Sequence, residues 1–243
     1  MLLNCDLGDS LGTARADADE AVMPYIDQAS IACGFHAGDP LTMRQTLALA
    51  ARHGVTVGAH PAYPDREGFG RRSLRLGPGE IGANLHYQVA ALDGIARSMG
   101  LALGYVKPHG ALYHDMMTRE DVRGAILDAM ASYHQPLQLI VQATTAADMH
   151  HAEAESAGVP LLFEVFADRC YDDDGSLLPR NRPGAVLNRE RMLAQVTQLQ
   201  ENSTVTTIGG RELLLRADTI CVHGDNPEAV RAIEDIRARL GGG

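Results

Sequence analysis

The sequence lacks several features that would place it in a specialised class of protein. Its four cysteines, Cys5, Cys33, Cys170 and Cys221, are far apart in the chain, whereas disulfide frameworks and thiolate zinc sites use cysteines in recognisable spacings. No apolar run approaches the ~20 residues that span a bilayer, and residues 1–6 lack the basic and apolar regions of a signal peptide. These absences predict free thiols, no membrane segment and a cytoplasmic location.

Positive charge is also scarce. The chain has 21 Lys and Arg residues against 31 Asp and Glu residues, which gives a formal net charge of −10. Such a surface repels a phosphate backbone, so nucleic acid is not an expected partner. Hydrophobic residues make up 45% of the 243 residues, which is ordinary for a globular protein and enough to bury a large core.

Three motifs that often reveal the chemistry of an enzyme are missing as well. The chain has no GxxxxGK[ST] phosphate loop, no GxGxxG after a candidate strand and no HExxH zinc motif. Nucleotide and metalloprotease chemistry therefore have no local signature. An active site would have to be assembled from residues that are distant in sequence.

Short apolar runs alternate with longer segments of helical character, which is typical of an α/β fold around a mainly parallel sheet. Seven candidate strands cover residues 2–5, 29–33, 55–59, 104–107, 137–141, 161–166 and 219–222. Candidate helices cover residues 16–23, 41–53, 80–99, 119–133, 146–157, 189–200 and 228–240. The strand-like flanks of Gly209 and Gly210 predict a hairpin insertion around residues 205–215. No linker divides the chain, so we expect a single domain over residues 1–243.

Capping residues mark the starts of several helices. The clearest helix has Asp39 as its N-cap, Pro40 at its first position and Gly54 just past its end. The predicted caps of three further helices are Thr118, Asn188 and Asn226.

Polar side chains follow the candidate strands where each apolar run ends. In chain order they are Asn4, Asp6, His36, His60, Lys107, His109, Glu164, Asp168, Arg169, His223 and Asp225. The carboxyl ends of parallel strands in a barrel open onto one face, so we expect these groups to converge on one cavity. Other histidines, at positions 53, 86, 134, 150 and 151, fall within or at the ends of candidate helices. Solvent exposure or the helix dipole explains these without chemistry.

The groups at the strand ends suit the activation of water. Carboxylates accept protons, histidines transfer them near neutral pH, and Lys107 can stabilise a developing oxyanion. A divalent metal held by Asp6, His60 and His109 would also acidify water, although these residues have no diagnostic spacing. The residues alone leave the metal content open.

Six segments of the chain form a recognisable set. They are NCDLGDSLG at 4–12, IACGFHAGDP at 31–40, GAHPAYPDREGFGRR at 58–72, VKPHGALYH at 106–114, FADRCYDDDGSLLPR at 166–180 and ICVHGDNPEAV at 220–230. Together they resemble the LamB/YcsF family, in the family's order and across nearly the whole chain. The resemblance implies a seven-stranded TIM-like (βα) barrel related to the barrels of glycoside hydrolases and polysaccharide deacetylases.

Members of that family are described as the A subunit of a prokaryotic 5-oxoprolinase. The resemblance therefore implies ATP-dependent opening of the lactam of 5-oxo-L-proline to L-glutamate, with release of ADP and phosphate. It implies the B and C subunits as partners, ATP as co-substrate and Mg²⁺ as the ion that accompanies ATP, and it leaves self-association open. Asp9, Ser30 and His114 depart from the family pattern, in which glutamate, asparagine and asparagine are usual. We assign these three no essential role.

For lactam opening, each candidate residue has an expected role. Asp6 and His60 would orient or deprotonate water, and His109 and His223 would transfer protons. Glu164 and Asp168 would orient these groups or act as the base, and Lys107, Arg71 and Arg72 would bind a carboxylate or phosphate. The binding set is completed by Asn4, His36, Arg169 and Asp225.

Two alternative functions use the same residues. A metal-dependent deacetylase or carbohydrate hydrolase would bind a divalent metal tightly and act on sugars without ATP. A non-catalytic binding protein would hold 5-oxoproline in the cavity while another chain performs the chemistry.

Overall fold

The computed structural model describes residues 1–9, 16–224 and 226–241. Within these ranges, seven parallel strands close into a barrel in the order β1-β2-β3-β4-β5-β6-β9. Their bounds are β1 Leu2–Leu7, β2 Gln28–Ala32, β3 Thr56–His60, β4 Leu103–Val106, β5 Gln138–Gln142, β6 Leu161–Phe166 and β9 Thr219–His223. The barrel closes because β9 pairs with both β6 and β1. The predicted α/β barrel with seven strands is therefore confirmed.

Helices connect the strands around the outside of the barrel. Their bounds are α1 Ala16–Val22, α2 Pro40–His53, α3 Pro78–Ser98, α4 Gly110–Thr118, α5 Glu120–Ala131, α6 Ala147–Ser156, α7 Arg189–Asn202, α8 Pro227–Arg231 and α9 Ile233–Arg239. A turn of 3₁₀ helix, Met23–Tyr25, follows α1. Two short strands, β7 Thr204–Thr206 and β8 Glu212–Leu214, pair antiparallel in a separate hairpin between α7 and β9. None of the described helices is both long and apolar enough to cross a membrane.

The helix caps follow the sequence pattern in three of four cases. Asp39 Oδ1 accepts hydrogen bonds from the amides of Leu41 and Thr42 at 2.9 Å each. The predicted caps Asn188 and Asn226 are confirmed, since each side chain accepts a hydrogen bond from the first turn of its helix. The cap predicted at Thr118 is wrong, because its hydroxyl donates to the carbonyl of His114 inside α4.

Two helices differ from the sequence prediction. Helix α4 has no counterpart in that prediction, because it is only nine residues long and begins at Gly110, whose φ is +54° and which is a poor helix former. The single helix predicted over residues 228–240 is two helices, because the amide of Ala232 closes a tighter turn onto the carbonyl of Ala229.

The two faces of the barrel strands separate apolar from polar residues. On β1, Leu3, Cys5 and Leu7 pack in the hydrophobic core. Asn4 and Asp6 alternate with them, and both are buried and accept hydrogen bonds from Lys107 beyond the end of β4. Because successive side chains of a strand point to opposite faces, the apolar set packs under the helices and the polar set faces the barrel interior.

Gly58 on β3 makes room for Tyr105 inside the barrel. A Cβ added to Gly58 would lie 2.3 Å from the Tyr105 ring, and that ring is fully buried with its hydroxyl 3.2 Å from Ser30 Oγ. Lys107 follows Tyr105 by two residues and therefore shares its side of the chain. The aromatic ring thus fills the interior beneath the carboxyl ends of the strands, where the polar groups collect.

Candidate active site

A cavity of about 600 Å³ opens at the carboxyl ends of the barrel strands. The strand ends contribute Asp6, His60, Lys107, His109, Gln142, Phe166 and His223 to its lining. The loops beyond the strands complete it with two arginines predicted to bind substrate, Arg71 and Arg169, and with residues 144–150 and 174–180 in part. Residues from six different strand ends therefore meet at one opening.

Lys107 lies at the centre of this cluster. Its Nζ is 2.8 Å from Asp6 Oδ1, 2.8 Å from Glu164 Oε1 and 3.1 Å from Asn4 Oδ1. Burial alone would lower the pKa of Lys107, but the neighbouring acidic groups, Asp6 first, raise it well above its usual value. The side chain is therefore a fixed positive charge, 2 % exposed, at the floor of the cavity.

The carboxylates beside Lys107 differ in their access to the cavity. Asp6 lines it, and although burial raises the pKa of Asp6, His60 and Lys107 together hold it well below the usual value. Glu164 lies behind the lining, where it also accepts hydrogen bonds from Asn4 and from the hydroxyl of Tyr113. Asn4 and Glu164 thus hold Lys107 in place from the interior side.

Three buried histidines lie next to this ion-pair cluster. The Nδ1–H of His60 donates to the carbonyl of Lys107 at 2.7 Å, and the Nε2–H of His109 donates to the carbonyl of Phe69 at 2.9 Å. The remaining nitrogens, Nε2 of His60 and Nδ1 of His109, are 3.0 Å apart. A carbonyl oxygen can only accept, so this short contact needs a further proton between the two rings.

The surrounding charges place that proton on His60. Burial alone would lower the pKa of His60, but Asp6, 3.4 Å from its Nε2, raises it above the usual value. The pKa of His109 is well below the usual value because the ring is buried and lies beside His36 and His60. His60 is therefore the charged member of the pair and His109 the neutral one.

His36 stacks on His109 behind the cavity lining. The two rings are parallel within 5°, with centroids 3.8 Å apart, and His36 Nε2 is 3.1 Å from Asp9 Oδ1. Ring nitrogens bind a metal in the plane of the ring, so two rings stacked face to face cannot both point their lone pairs at one ion. The three histidines do not fit a common metal site as they stand, and the Asp6, His60 and His109 set stays a prediction.

His223 and Asp168 form a second acid–base pair on the cavity wall. The Nδ1–H of His223 donates to Asp168 Oδ1 at 2.9 Å, and the side-chain amide of Asn226 donates to Asp168 Oδ2 at 3.0 Å. Burial raises the pKa of Asp168, but the electrostatic attraction and hydrogen bond of His223 and the hydrogen bond of Asn226 lower it below the usual value. The arrangement fixes one tautomer and leaves Nε2 of His223 as a proton acceptor.

The predicted arginines occupy different environments. Arg169 is 7 % exposed and donates to the carbonyls of Leu178 and Ala185, and burial lowers its pKa to about 10. Arg71 is exposed at the cavity, with its guanidinium 5.0 Å from the centre of the Phe69 ring. Arg72 does not line the cavity, because its guanidinium pairs with Asp65. Asp225, the remaining predicted binding residue, lies outside the described residues.

Some residues that line the cavity are absent from the predicted set. The helical pattern around His150 indicates a surface histidine, yet this residue is 4 % exposed and its ring lines the cavity. The signal that could have identified it is its place in the first turn of a helix that directly follows a barrel strand, since helical side chains lean toward the N-terminus. Tyr113 and Gln142 belong to the lining as well.

The fold and the site together define the class of this protein. It is a closed parallel (βα) barrel whose strand ends carry buried acids, bases and a cation around one cavity, the place where barrel proteins bind small molecules. The LamB/YcsF family model matches residues 1–242, so the chain belongs to the LamB/YcsF family, as its motifs predicted.

Relatives and a solved structure agree with this membership. The chain is 51% identical over 243 residues to the 5-oxoprolinase A subunit numbered 2 of Pseudomonas putida, covering all of this chain and 94% of that protein. It is 50% identical over 242 residues to the 5-oxoprolinase A subunit of Chromohalobacter salexigens, covering 99% of this chain and 97% of that protein. The crystal structure of a lactam utilization protein from Thermus thermophilus matches with a TM-score of 0.86 at 35% identity, covering 99% of this chain and 96% of the other.

Proposed function

We propose that the chain is the A subunit of an ATP-dependent 5-oxoprolinase and that its cavity is where the lactam ring opens to give glutamate. The names of the relatives and of the similar crystal structure support the reaction class. The observation that carries the proposal for this chain is the Asp168–His223 pair beside the buried Lys107 cation in one cavity. A base and a cation are the groups that attack of water on an amide-like carbonyl requires.

The assignment of the base follows from the hydrogen bonds. Asp6 is a weak base, because His60 and Lys107 lower its pKa. His223 has its Nδ1 proton engaged by Asp168 and its ring on the cavity wall. Nε2 of His223 therefore takes the proton of the attacking water, and Asp168 stabilises the imidazolium that forms.

Lys107 and His60 act on the other partners of the reaction. The ammonium of Lys107 offsets the negative charge on the former carbonyl oxygen, which ATP has phosphorylated, when water adds to the carbonyl carbon. When the ring carbon–nitrogen bond breaks, the nitrogen must gain a proton to leave as an amine. His60, whose ring lines the cavity and is held by Asp6 and the carbonyl of Lys107, is the donor we assign to that step.

ATP is needed because a lactam carbonyl is a poor electrophile. Phosphorylation of the carbonyl oxygen converts it into a better leaving group: one water adds to the activated carbon, the ring carbon–nitrogen bond breaks, and a second water releases phosphate. The balance of the reaction is 5-oxoproline, ATP and two waters to glutamate, ADP and phosphate. The chain has no phosphate loop and no dinucleotide motif. We therefore assign the nucleotide, with its Mg²⁺, to the partner B and C subunits, and the binding of the substrate carboxylate to Arg169 and Arg71 of this chain.

The test is reconstitution with the partner subunits. The complete set with 5-oxoproline, ATP and Mg²⁺ should form glutamate, and omission of this chain should abolish glutamate formation. A complex that forms no glutamate while this chain is folded would contradict the proposal. If a His223→Gln chain binds 5-oxoproline normally and the complex keeps full turnover, the cavity only binds the substrate and the base lies on another chain.

A further inference from the structure

The cavity has a second wall, which we call the α6 wall, formed by Thr144, Thr145, Ala146 and His150. Thr144 to Ala146 lead from β5 into helix α6, and His150 comes from the first turns of that helix. None of these residues belongs to the cluster around Lys107. The lactam chemistry proposed above leaves this wall without a ligand.

His150 is the unusual member of the α6 wall. It is 4 % exposed and lines the cavity, yet in the described part of the chain its Nδ1 has no hydrogen-bond partner. A buried polar group without a partner costs on the order of 1–3 kcal/mol, so a ligand is expected to provide one. Burial and the nearby charge of Arg123 lower the pKa of His150. The ring is therefore neutral near pH 7 and offers one N–H donor.

The start of α6 adds further donors beside this ring. The helix has ten residues, and its N-cap, Ala146, has no side chain that could satisfy the first amides. The amides of Ala147 and Met149 donate to the carbonyls of Thr144 and Ala146, so within the described residues the amide of Asp148 is the one in the first turn without a partner. Such an amide, together with the dipole at a helix N-terminus, favours a bound anion. Thr145 is exposed at the cavity surface and adds a hydroxyl at the same place.

A buried arginine on the adjoining loop also lines this cavity. Gln142, at the end of β5, donates to the carbonyl of Gly175. This hydrogen bond joins the start of the α6 wall to the loop that follows β6. That loop contains Arg169, which is 7 % exposed and has no ion-pair partner within residues 1–9, 16–224 and 226–241. Asp174 lines the cavity too, but its carboxylate accepts a hydrogen bond from the amide of Ser176.

We propose that the α6 wall is a phosphate subsite, in which His150, Thr145 and the backbone amide of Asp148 bind the oxygens of a phosphoryl group. Phosphate has enough acceptor oxygens to meet an imidazole N–H, a hydroxyl and a backbone amide together. The existence of the subsite does not depend on the reaction. Its role rests on the proposed function, in which it holds the phosphoryl group that comes from ATP and leaves as inorganic phosphate.

The experiment is a calorimetric titration of the full chain with inorganic phosphate, in the absence of ATP and partner subunits. His150→Ala removes the imidazole, and His151→Ala is the matched control because His151 is exposed on the same helix. We expect His150→Ala to weaken phosphate binding about tenfold, as loss of one hydrogen bond to an anion predicts, and His151→Ala to leave it within about twofold. Thr145→Val, at an exposed position that does not threaten folding, should weaken it about threefold or more.

Two results would overturn the phosphate subsite. The first is that the wild-type chain binds no phosphate at millimolar phosphate concentrations. The second is that His150→Ala and Thr145→Val both bind phosphate as tightly as the wild type. Because partners, ATP and glutamate are absent from this measurement, its outcome is separate from that of the reconstitution. A failed reconstitution with intact phosphate binding would reject the proposed reaction and keep the subsite.

Discussion

The ammonium of Lys107 is shared between two buried carboxylates, with Nζ 2.8 Å from Glu164 Oε1 and 2.8 Å from Asp6 Oδ1. Asp6 is on β1 and Glu164 on β6, and β9 lies between those strands in the closed barrel. One lysine from beyond β4 therefore reaches across the interior to both. The ion pairs join three separate parts of the sequence, and the site depends on the closure of the barrel.

Lys107→Met should both destabilise the chain and abolish glutamate formation. The substitution leaves two carboxylates in the interior without their cation, a change that costs about 3–5 kcal/mol for buried ion pairs. Chemical denaturation and activity of the reconstituted complex measure the two effects. Glu164→Gln is the control, because it removes one negative charge and keeps Lys107 paired with Asp6, so we expect a smaller loss of stability. Equal stability of Lys107→Met and wild type would show that the three charges are not paired in solution.

Asp168→Asn should lower kcat by about 10²- to 10⁴-fold with the fold intact. The carboxylate accepts from both His223 and Asn226, and an amide has only one oxygen to offer, so His223 loses its fixed tautomer. Asp174→Asn is the matched control, since Asp174 also lines the cavity but lies on a loop and is exposed. Steady-state kinetics of the reconstituted complex make the comparison, and similar kcat values for the two variants would exclude His223 as the oriented base.

The same carboxylate predicts a pH dependence of stability. The pKa of Asp168 is lower in the folded chain than its usual value of 3.8, so near pH 4 the unfolded state binds more protons than the folded state. Asp168 therefore contributes stability above that pH, and the contribution is lost as the pH falls through the folded pKa. Asp168→Asn removes this contribution, so its free energy of unfolding should fall less steeply than that of wild type between pH 5 and pH 3, about where the carboxylate titrates. Urea denaturation at several pH values tests this, and parallel curves would contradict it.

Arg169→Gln should raise the KM for 5-oxoproline, whereas Arg72→Gln should not. Arg169 is buried at the cavity, and a charged hydrogen bond to the substrate carboxylate is worth about 1.5–3 kcal/mol, or tenfold or more in KM. Arg72 pairs with Asp65 away from the cavity lining. Kinetics of the complex with each variant separate the two arginines, which the sequence alone placed in one set. A KM that changes only in Arg72→Gln would reverse the assignment.

Local patterns in the sequence predicted a mainly parallel α/β fold and the polar groups at its strand ends, and the family resemblance predicted that the strands close into a barrel. Apolar runs indicated the strands, and polar residues directly after them, such as His60 and His223, indicated the groups that face the cavity. What could not be predicted depends on packing between distant segments. His150 has the pattern of any helical histidine until the position of α6 beside the cavity is known, and Arg71 and Arg72 are distinguished only by the contact of Arg72 with Asp65.

Gly70 makes the histidine cluster possible, and Gly70→Ala should disrupt it. Its φ is +65°, and an added Cβ would lie 2.9 Å from Cβ of His36 and 3.0 Å from Cδ2 of His109. Gly100→Ala is the matched control, since Gly100 has a φ of +75° but nothing within 4 Å of an added Cβ. Both variants should lose about 1–2 kcal/mol from the strained backbone.

Only Gly70→Ala should also lose activity, because it alone pushes the His36 and His109 rings apart. Stacking of these rings, at 3.8 Å between centroids, fixes His109, which in turn holds His60 through the 3.0 Å contact between ring nitrogens. Chemical denaturation measures the shared backbone cost, and kcat of the reconstituted complex measures the displacement of His60. If the two variants lose stability equally and both keep kcat, the histidine stack does not position His60 for proton transfer.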